Sequence, residues 1–365
     1  MKTIIIAHNY SEKSFSAMSY HLAHYLADLG HRVVFISHHP YFSEKKVLKT
    51  DNGEIFIYSW PTKNRPTSIM DFIWFSKICF QYKPNIIIGH FVGSNIAAIV
   101  SKLCSFGKTK TFIYYHTLSS QILADTKRNS FKQLFLKQRK KIFYWLFCDV
   151  LICPSAMAKK DLKDYYANDK GVVVLNPLTD RLIAKINISK DTIIVSFLGR
   201  LDLSKGVLEL VTAFKLYVEK LPTSIIRLNI AGSGSQQAEI IKLIHEISSI
   251  NFVGGLTYDK IDEYLNKSHF TIIPSKFDNL PTVGLESMMN ATPLLISNTT
   301  GLSEYLMEGK ECFKFDANVD EMVKLFEKIE NNFESHAQMS IDARATFLSK
   351  FSIKEYCSKF SQLIE

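Results

Sequence analysis

Two stretches in the second half of the chain place charged side chains where a ligand could meet them. The first reads Phe197-Leu198-Gly199-Arg200-Leu201-Asp202-Leu203-Ser204-Lys205-Gly206: an apolar run ends at Gly199, and two cations five residues apart follow in the turn. A helical pattern begins directly after them, so unpaired N–H groups and the positive end of a helix dipole join the same locus. Arg200 can grip two oxygens at once and Lys205 can serve as a point charge, which together suit a diphosphate. Standing alone, the pair would equally fit two solvated surface cations. The second stretch is Pro274-Ser275-Lys276-Phe277-Asp278-Asn279-Leu280-Pro281-Thr282-Val283-Gly284-Leu285-Glu286. Asp278 stands in the loop after an apolar strand, Glu286 lies about one turn into the next helix, and Thr282 is a candidate cap for that helix. Their spacing of eight brings both carboxylates near one site, where they can accept hydrogen bonds from sugar hydroxyls. Such a pair is common by chance. Its setting between a strand end and a helix start, opposite the Arg200/Lys205 pair, is not.

The frame that must hold these residues is a repeated one. Thr3–Ala7 reads as a strand, residues 17–29 as a helix closed by Gly30, and Arg32–Ser37 as a second strand, which makes a β-α-β unit and a parallel sheet. The rhythm returns at Asn85–Gly89, Thr111–Tyr115 and Val150–Cys153. After Asn176-Pro177-Leu178, read as a hinge, a second series runs through strands at Thr192–Leu198, Ile225–Ala231, Ile250–Val253, Phe270–Pro274, Pro293–Ser297 and Cys312–Phe315. Helical patterns separate them at Val207–Glu219, Gln236–Ile247, Tyr258–Lys267, Val283–Met289 and Val319–Asn331. Short apolar strands covered on both faces by helices describe an α/β fold of two doubly wound, Rossmann-like domains, with a central cleft expected at the carboxyl ends of their sheets. The 365 residues suit two cores better than one.

The second half resembles glycosyltransferase family 4, the large retaining family of GT-B fold. The hallmark G-R-x(4)-K-G is met by Gly199-Arg200 and Lys205-Gly206. The hallmark P-S-x(2)-E-x(7)-E is met by Pro274-Ser275, Asp278 and Glu286, followed by Ser287-Met288-Met289-Asn290-Ala291-Thr292-Pro293. Gly232-Ser233-Gly234, Phe252-Val253-Gly254 and Gly301 with Glu304 fall in family order. The resemblance implies that residues 1–178 bind the acceptor, 179–345 bind a nucleotide sugar, and 346–365 return to the first domain. It implies catalytic parts for His116, Arg200, Lys205 and Asp278. Donor contacts would come from Gly199, Arg200, Lys205, Gly232, Gly234, Val253, Asp278, Asn279, Leu280, Pro281, Thr282 and Glu286. Within that set Arg200 and Lys205 neutralise the diphosphate and Glu286 holds the ribose. Asp278 with the Asn279–Thr282 backbone holds the sugar, Val253 borders the base, and His116 reaches the sugar. The resemblance further implies retention, with the donor phosphate taking the acceptor's proton and no cofactor or metal required. Three departures stand out. Asp278 replaces the usual Glu, Asn176-Pro177 replaces Asn-Gly, and the loop Ser11–Ala17 lacks paired glycines, leaving Ser14 or Ser16 as alternative donors.

Other signals narrow the choice. Gly232-Ser233-Gly234-Ser235-Gln236-Gln237 opens like a dinucleotide fingerprint, yet Gln237 occupies the third glycine position and no ribose-binding acid follows. No Asp-x-Asp triplet occurs, and the histidines, including His21, His24, His38 and His39, lack metal-site spacing. Six cysteines without a C-x-x-C pair read as buried thiols. No apolar run reaches the ~20 residues that span a bilayer, so a cytoplasmic protein is expected. The net charge of +9 is lopsided: residues 1–180 hold 24 Lys and Arg against 12 Asp and Glu. Much of the excess lies in Lys127–Lys141, interleaved with Phe131, Leu134, Phe135 and Leu136 and running into Ile142–Phe147. That pattern suits an anionic membrane surface, where a lipid-linked acceptor would sit, or a solvated helix face; nucleic acid comes third because no recognised module accompanies the charge. The function expected is transfer of a sugar from a nucleotide sugar to a hydroxyl of a glycan or lipid-linked acceptor, as in surface polysaccharide or glycolipid synthesis. A nucleotide-sugar epimerase and a non-catalytic binding or scaffold protein are the alternatives.

Overall fold

The computed structural model describes residues 1–10, 17–38, 46–62, 65–91, 93–120, 130–245 and 247–365, with the backbone alone at Ser130 and Lys132. The chain divides into two compact units, Met1–Thr179 with Ile353–Glu365, and Asp180–Ser352.

In the first unit the strands are β1 (Thr3–Ala7), β2 (Arg32–Ser37), β3 (Lys46–Lys49), β4 (Glu54–Ser59), β5 (Ile86–Gly89), β6 (Lys110–Tyr114), β7 (Val150–Cys153) and β8 (Gly171–Val173). They form one sheet in the order β3-β4-β2-β1-β5-β6-β7-β8. Every pairing is parallel except β3 with β4, so the expectation of a parallel sheet is corrected at that edge. The reason is local: Asp51-Asn52-Gly53 reverses the chain, with the Thr50 N–H donating to the Gly53 carbonyl at 2.9 Å. Ile4, Ile5, Ile6, Val33, Val34, Phe35 and Ile36 are wholly buried, as consecutive residues of a strand must be when helices cover both faces. On one face lie α1 (Ala17–Asp28) and the chain's last helix, Ile353–Ile364; on the other lie α2 (Ile69–Tyr82), α3 (Ser94–Cys104), α4 (Ser130–Phe147) and α5 (Ala156–Tyr166). Helix α2 starts at a capping box in which Ser68 accepts from the Asp71 N–H at 3.2 Å and the Asp71 carboxylate accepts from the Ser68 N–H at 3.0 Å. The last helix buries Tyr356, Cys357, Phe360 and Ile364 beside Ile4, Leu22 and Phe112, and the Tyr356 and Tyr114 hydroxyls meet at 2.5 Å.

The second unit carries β9 (Ile193–Leu198), α6 (Val207–Lys220), β10 (Ile226–Ala231), α7 (Gln237–Ile244), β11 (Ile250–Gly254) and α8 (Tyr258–Asn266). It continues with β12 (Phe270–Ile273), α9 (Thr282–Met289), β13 (Leu294–Ser297), β14 (Cys312–Phe315), α10 (Val319–Asn331) and α11 (His336–Thr346). Its six strands are all parallel, in the order β11-β10-β9-β12-β13-β14. The turn Phe347–Phe351 packs on α9 and buries Phe347 and Phe351, which is why this unit runs to Ser352 and not to the expected 345.

Each unit places its first strand between strands reached from opposite directions, β1 between β2 and β5, and β9 between β10 and β12. Loops that leave such neighbours at their carboxyl ends diverge and open a crevice.

Candidate functional site

The loops after β9 and β12 carry the two charged stretches, and the Lys276 N–H donates to the Ser204 carbonyl at 2.9 Å to stitch them together. Between them lies a cavity of about 350 Å³. Gly199, Arg200 and Lys205 line it from one loop, Ser275, Asp278, Leu280 and Pro281 from the other, and Thr282, Val283 and Glu286 from α9. The four charged residues singled out in the sequence therefore share one wall-to-wall site. Helix α9 begins with Pro281 in the cap position and no capping side chain, so Thr282 is its first residue and not its cap.

Each charge has a distinct setting. The Lys205 ammonium is ion-paired with the Asp278 carboxylate. Asp278 also accepts from the Asn279 N–H at 2.9 Å, and its carbonyl accepts from the Gly301 N–H at 3.0 Å, so the carboxylate is held on a stiff backbone. Arg200 lies 2.7 Å from Asp202 but leaves 65% of its side chain exposed. Exposed ion pairs of this kind are weak, and an anionic ligand can displace the carboxylate. Asp202 is steadied by the Ser235 N–H and hydroxyl, both at 3.1 Å, and these contacts hold its carboxyl below the usual range.

Glu286 is buried, and burial pushes its carboxyl up to about 7 although Arg181 opposes the shift. Arg181 Nη2 lies 3.8 Å from Glu286, while Nε and Nη2 donate to Asp262 at 2.7 and 2.8 Å and the guanidinium lies 5.0 Å from the centre of the Tyr258 ring. Its Nη1 is buried with no hydrogen-bond partner among the described residues. Arg181 was missed by the sequence reading. Nothing in its spacing marks it, and only its place just beyond the hinge could have drawn attention.

The remaining expected positions separate. A Cβ on Gly232, whose φ is +144, would sit 1.8 Å from the Gly199 carbonyl oxygen. One on Gly234 would come within 2.5 Å of the Leu201 carbonyl oxygen. These glycines let β10's exit lie flat behind the Gly199–Leu201 loop, and neither lines the cavity. Asn279 is buried behind the wall, and Val253 stands half-exposed at the end of β11, away from the lining.

His116 belongs to the first unit, two residues past β6. It lines a pocket of about 190 Å³ with Phe91, Asn95, Thr117, Lys140 and Tyr144. Its ring stacks on Phe91 at 4.1 Å and on Tyr114 at 5.1 Å, and burial drives its imidazole down to about 3, so it is neutral. Ser14, Ser16, His39, Lys127 and Arg128 lie outside the described residues. In α4, Phe131 and Trp145 are 84% and 70% exposed, with Leu134, Phe135, Ile142 and Leu146 also exposed. Among the described residues no group of three or more His, Cys, Asp or Glu is placed to hold a metal ion, and no helix is long and apolar enough to cross a membrane.

The family model described as Glycosyl transferases group 1 matches residues 179–346, and that of Glycosyltransferase Family 4 matches residues 16–180. An uncharacterized glycosyltransferase of Methanocaldococcus jannaschii is 23% identical over 248 residues, 63% of this chain and 60% of that protein. The lipopolysaccharide 1,2-N-acetylglucosaminetransferase of Salmonella typhimurium is 23% identical over 196 residues, 50% of this chain and 51% of its own length. These matches span only about half to three fifths of the relatives. Among solved structures, Anabaena HepE in complex with UDP superposes with a TM-score of 0.71 at 12% identity, covering 100% of this chain and 99% of that one. That likeness concerns the fold.

Proposed function

The chain belongs to the group 1 glycosyltransferases, family 4, with the GT-B fold, and we propose that it is a retaining hexosyltransferase that uses a nucleotide-sugar donor. The observation that carries this reading is the convergence of Arg200, Lys205, Asp278 and Glu286 on one cavity at the switch point of the second sheet. A donor diphosphate would take Arg200 from Asp202 and draw Lys205 away from Asp278, freeing the Asp278 carboxylate for the sugar hydroxyls. Glu286, poised near neutrality, accepts from the ribose hydroxyls, and Leu280 to Thr282 present backbone to the sugar. As the bond from the anomeric carbon to the phosphate oxygen breaks, charge grows on that oxygen, and the two cations stabilise it without a metal or other cofactor. The acceptor hydroxyl bonds to the anomeric carbon on the same face and gives its proton to the departing phosphate. His116, neutral and held between two rings, is the hydrogen-bond donor to the transferred sugar.

The acceptor is a glycan or a lipid-linked glycan hydroxyl, in the synthesis of a surface polysaccharide or glycolipid; the Salmonella relative, named for lipopolysaccharide, supports that class. Helix α4 would bring the enzyme to the cytoplasmic face of an anionic membrane. Its exposed Phe131, Phe135 and Trp145 stand beside Lys137, Arg139, Lys140 and Lys141, and α2 adds exposed Ile69, Met70 and Ile73 in the same helical layer.

The test is a thermal-shift and hydrolysis screen against a panel of nucleotide sugars. One donor should raise the melting temperature by several degrees, and Arg200→Ala and Glu286→Ala should abolish the response. Absence of binding by every donor would sink the proposal.

A further inference from the structure

The carboxyl edge of the first sheet carries four histidines after four neighbouring strands: His38 after β2, His8 after β1, His90 after β5 and His116 after β6. Only His116 has a part in the function proposed above. His90 is wholly buried, its ring lying on Tyr114 at 3.7 Å and on His8 at 4.3 Å, while its backbone N–H donates to the Ala7 carbonyl at 3.0 Å. Its Nδ1 is 3.4 Å from Nε2 of His116. Its Nε2 is buried with no hydrogen-bond partner among the described residues. His116 is confined in turn. Phe91 and Tyr114 stack on its ring with interplanar angles of 7° and 15°. Phe91 takes a φ of 47, a region that bulky side chains rarely adopt, in order to lie there.

Two stacked rings set the plane of an imidazole but not which nitrogen carries its proton. A hydrogen bond to one nitrogen decides that. We propose that His90 is a positioning residue: its Nδ1–H donates to Nε2 of His116, which fixes the His116 proton on Nδ1. The alternative order fails on the other end of His90. Were His116 to donate from Nε2, His90 would have to accept at Nδ1 and carry its own proton on Nε2. That would bury an N–H with no acceptor among the described residues, an arrangement folded proteins rarely tolerate. The proposed order leaves only a lone pair unpaired. Burial keeps both rings neutral, so the question is one of tautomer and not of charge. The arrangement yields an N–H at Nδ1 of His116, the tautomer a free histidine side chain disfavours. Its use as the donor toward the transferred sugar rests on the reading under Proposed function.

The experiment is a long-range proton–nitrogen spectrum of the full chain labelled at histidine nitrogens, at pH 7, with the His116 signals assigned by loss in His116→Gln. The expected spectrum shows His116 protonated at Nδ1 and bare at Nε2. His90→Phe keeps the ring stack without the N–H, and should move His116 toward the Nε2–H form. It should also lower kcat for transfer about tenfold or more while leaving the donor KM within about twofold, as a wrong tautomer does in a histidine-dependent enzyme. His90→Asn, whose amide can donate from near the Nδ1 position, should restore the tautomer and most of kcat. A wild-type His116 protonated at Nε2, or an unchanged tautomer in His90→Phe, overturns the proposal. Should His90→Phe fail to fold, the wild-type and His90→Asn spectra decide the matter alone. The spectra need no substrate, so a chain that transfers no sugar would defeat the functional reading and leave this one standing or falling on its own.

Discussion

The two units present the same topological feature with opposite electrostatics. In each, a first strand is flanked by strands reached in opposite directions, and the loops at its carboxyl end diverge. The second unit fills that crevice with ions: Lys205 against Asp278, Arg200 against Asp202, and Glu286 beside Arg181. The first fills it with uncharged rings, His8, His90 and Tyr114 in a stack continued by His116 and Phe91. Parallel strands supply a place and say nothing about charge; the residues just beyond the strand ends set it. An ionic lining suits a diphosphate, and a lining of uncharged rings suits the less polar faces and hydroxyls of a sugar.

The comparison breaks most visibly if the ionic crevice is stripped. Lys205→Ala leaves Asp278 without its cation and removes charge from the leaving group, and should lower kcat about 10²–10³-fold in a donor-saturated transfer assay. A loss under tenfold would make the crevice a binding surface only.

A second contrast concerns acid. His8 and His116 are lowered from 6.5 to about 3, so below pH 6.5 the unfolded chain takes up protons that the folded first unit refuses. Stability of that unit should be full above pH 6.5 and fall toward pH 3, by about 1.4 kcal/mol per pH unit for each histidine. Hydrogen exchange of β1 and β5 peptides, followed against pH, measures it, and His8→Phe should make the slope shallower.

Glu286 gives the second unit the reverse slope. Its carboxyl is raised from 4.5 to about 7, so between those values the folded chain keeps a proton that the unfolded chain has released. Stability there should decline with rising pH, by up to about 1.4 kcal/mol per unit, and level off above 7. Exchange of α9 and β12 peptides reads this smaller effect, and Glu286→Gln should flatten it. Parallel slopes in the two units would erase the contrast.

How much of this was legible in the sequence depended on burial. Thr3–Ala7, Arg32–Ser37 and Val150–Cys153 read to the residue, because strands covered on both faces are mostly apolar runs between polar turns. The hairpin of β3 and β4 escaped although Asp51-Asn52-Gly53 is a strong turn signal, since Lys46–Lys49 is exposed and shows little apolar patterning. Helix α2 escaped for the opposite reason: Ile69, Met70, Phe72 and Ile73 stay exposed, so its apolar residues circle the helix with no polar face to mark a period. In the site, residue types and strand-end settings identified Arg200, Lys205, Asp278 and Glu286, but their pairings did not follow from spacing. Neither did the Gly232 contact with Gly199, which joins residues far apart in sequence.

The last helix gives the first unit an unusual timetable. Tyr114 and the strands beside it leave the ribosome early, yet Tyr356 and Phe360, which cover them, are translated only after the whole second unit. Until then the newborn first unit shows bare apolar surface along Ile4, Leu22 and Phe112. Chaperones therefore have a defined patch to guard, and the later-made unit is free to finish first.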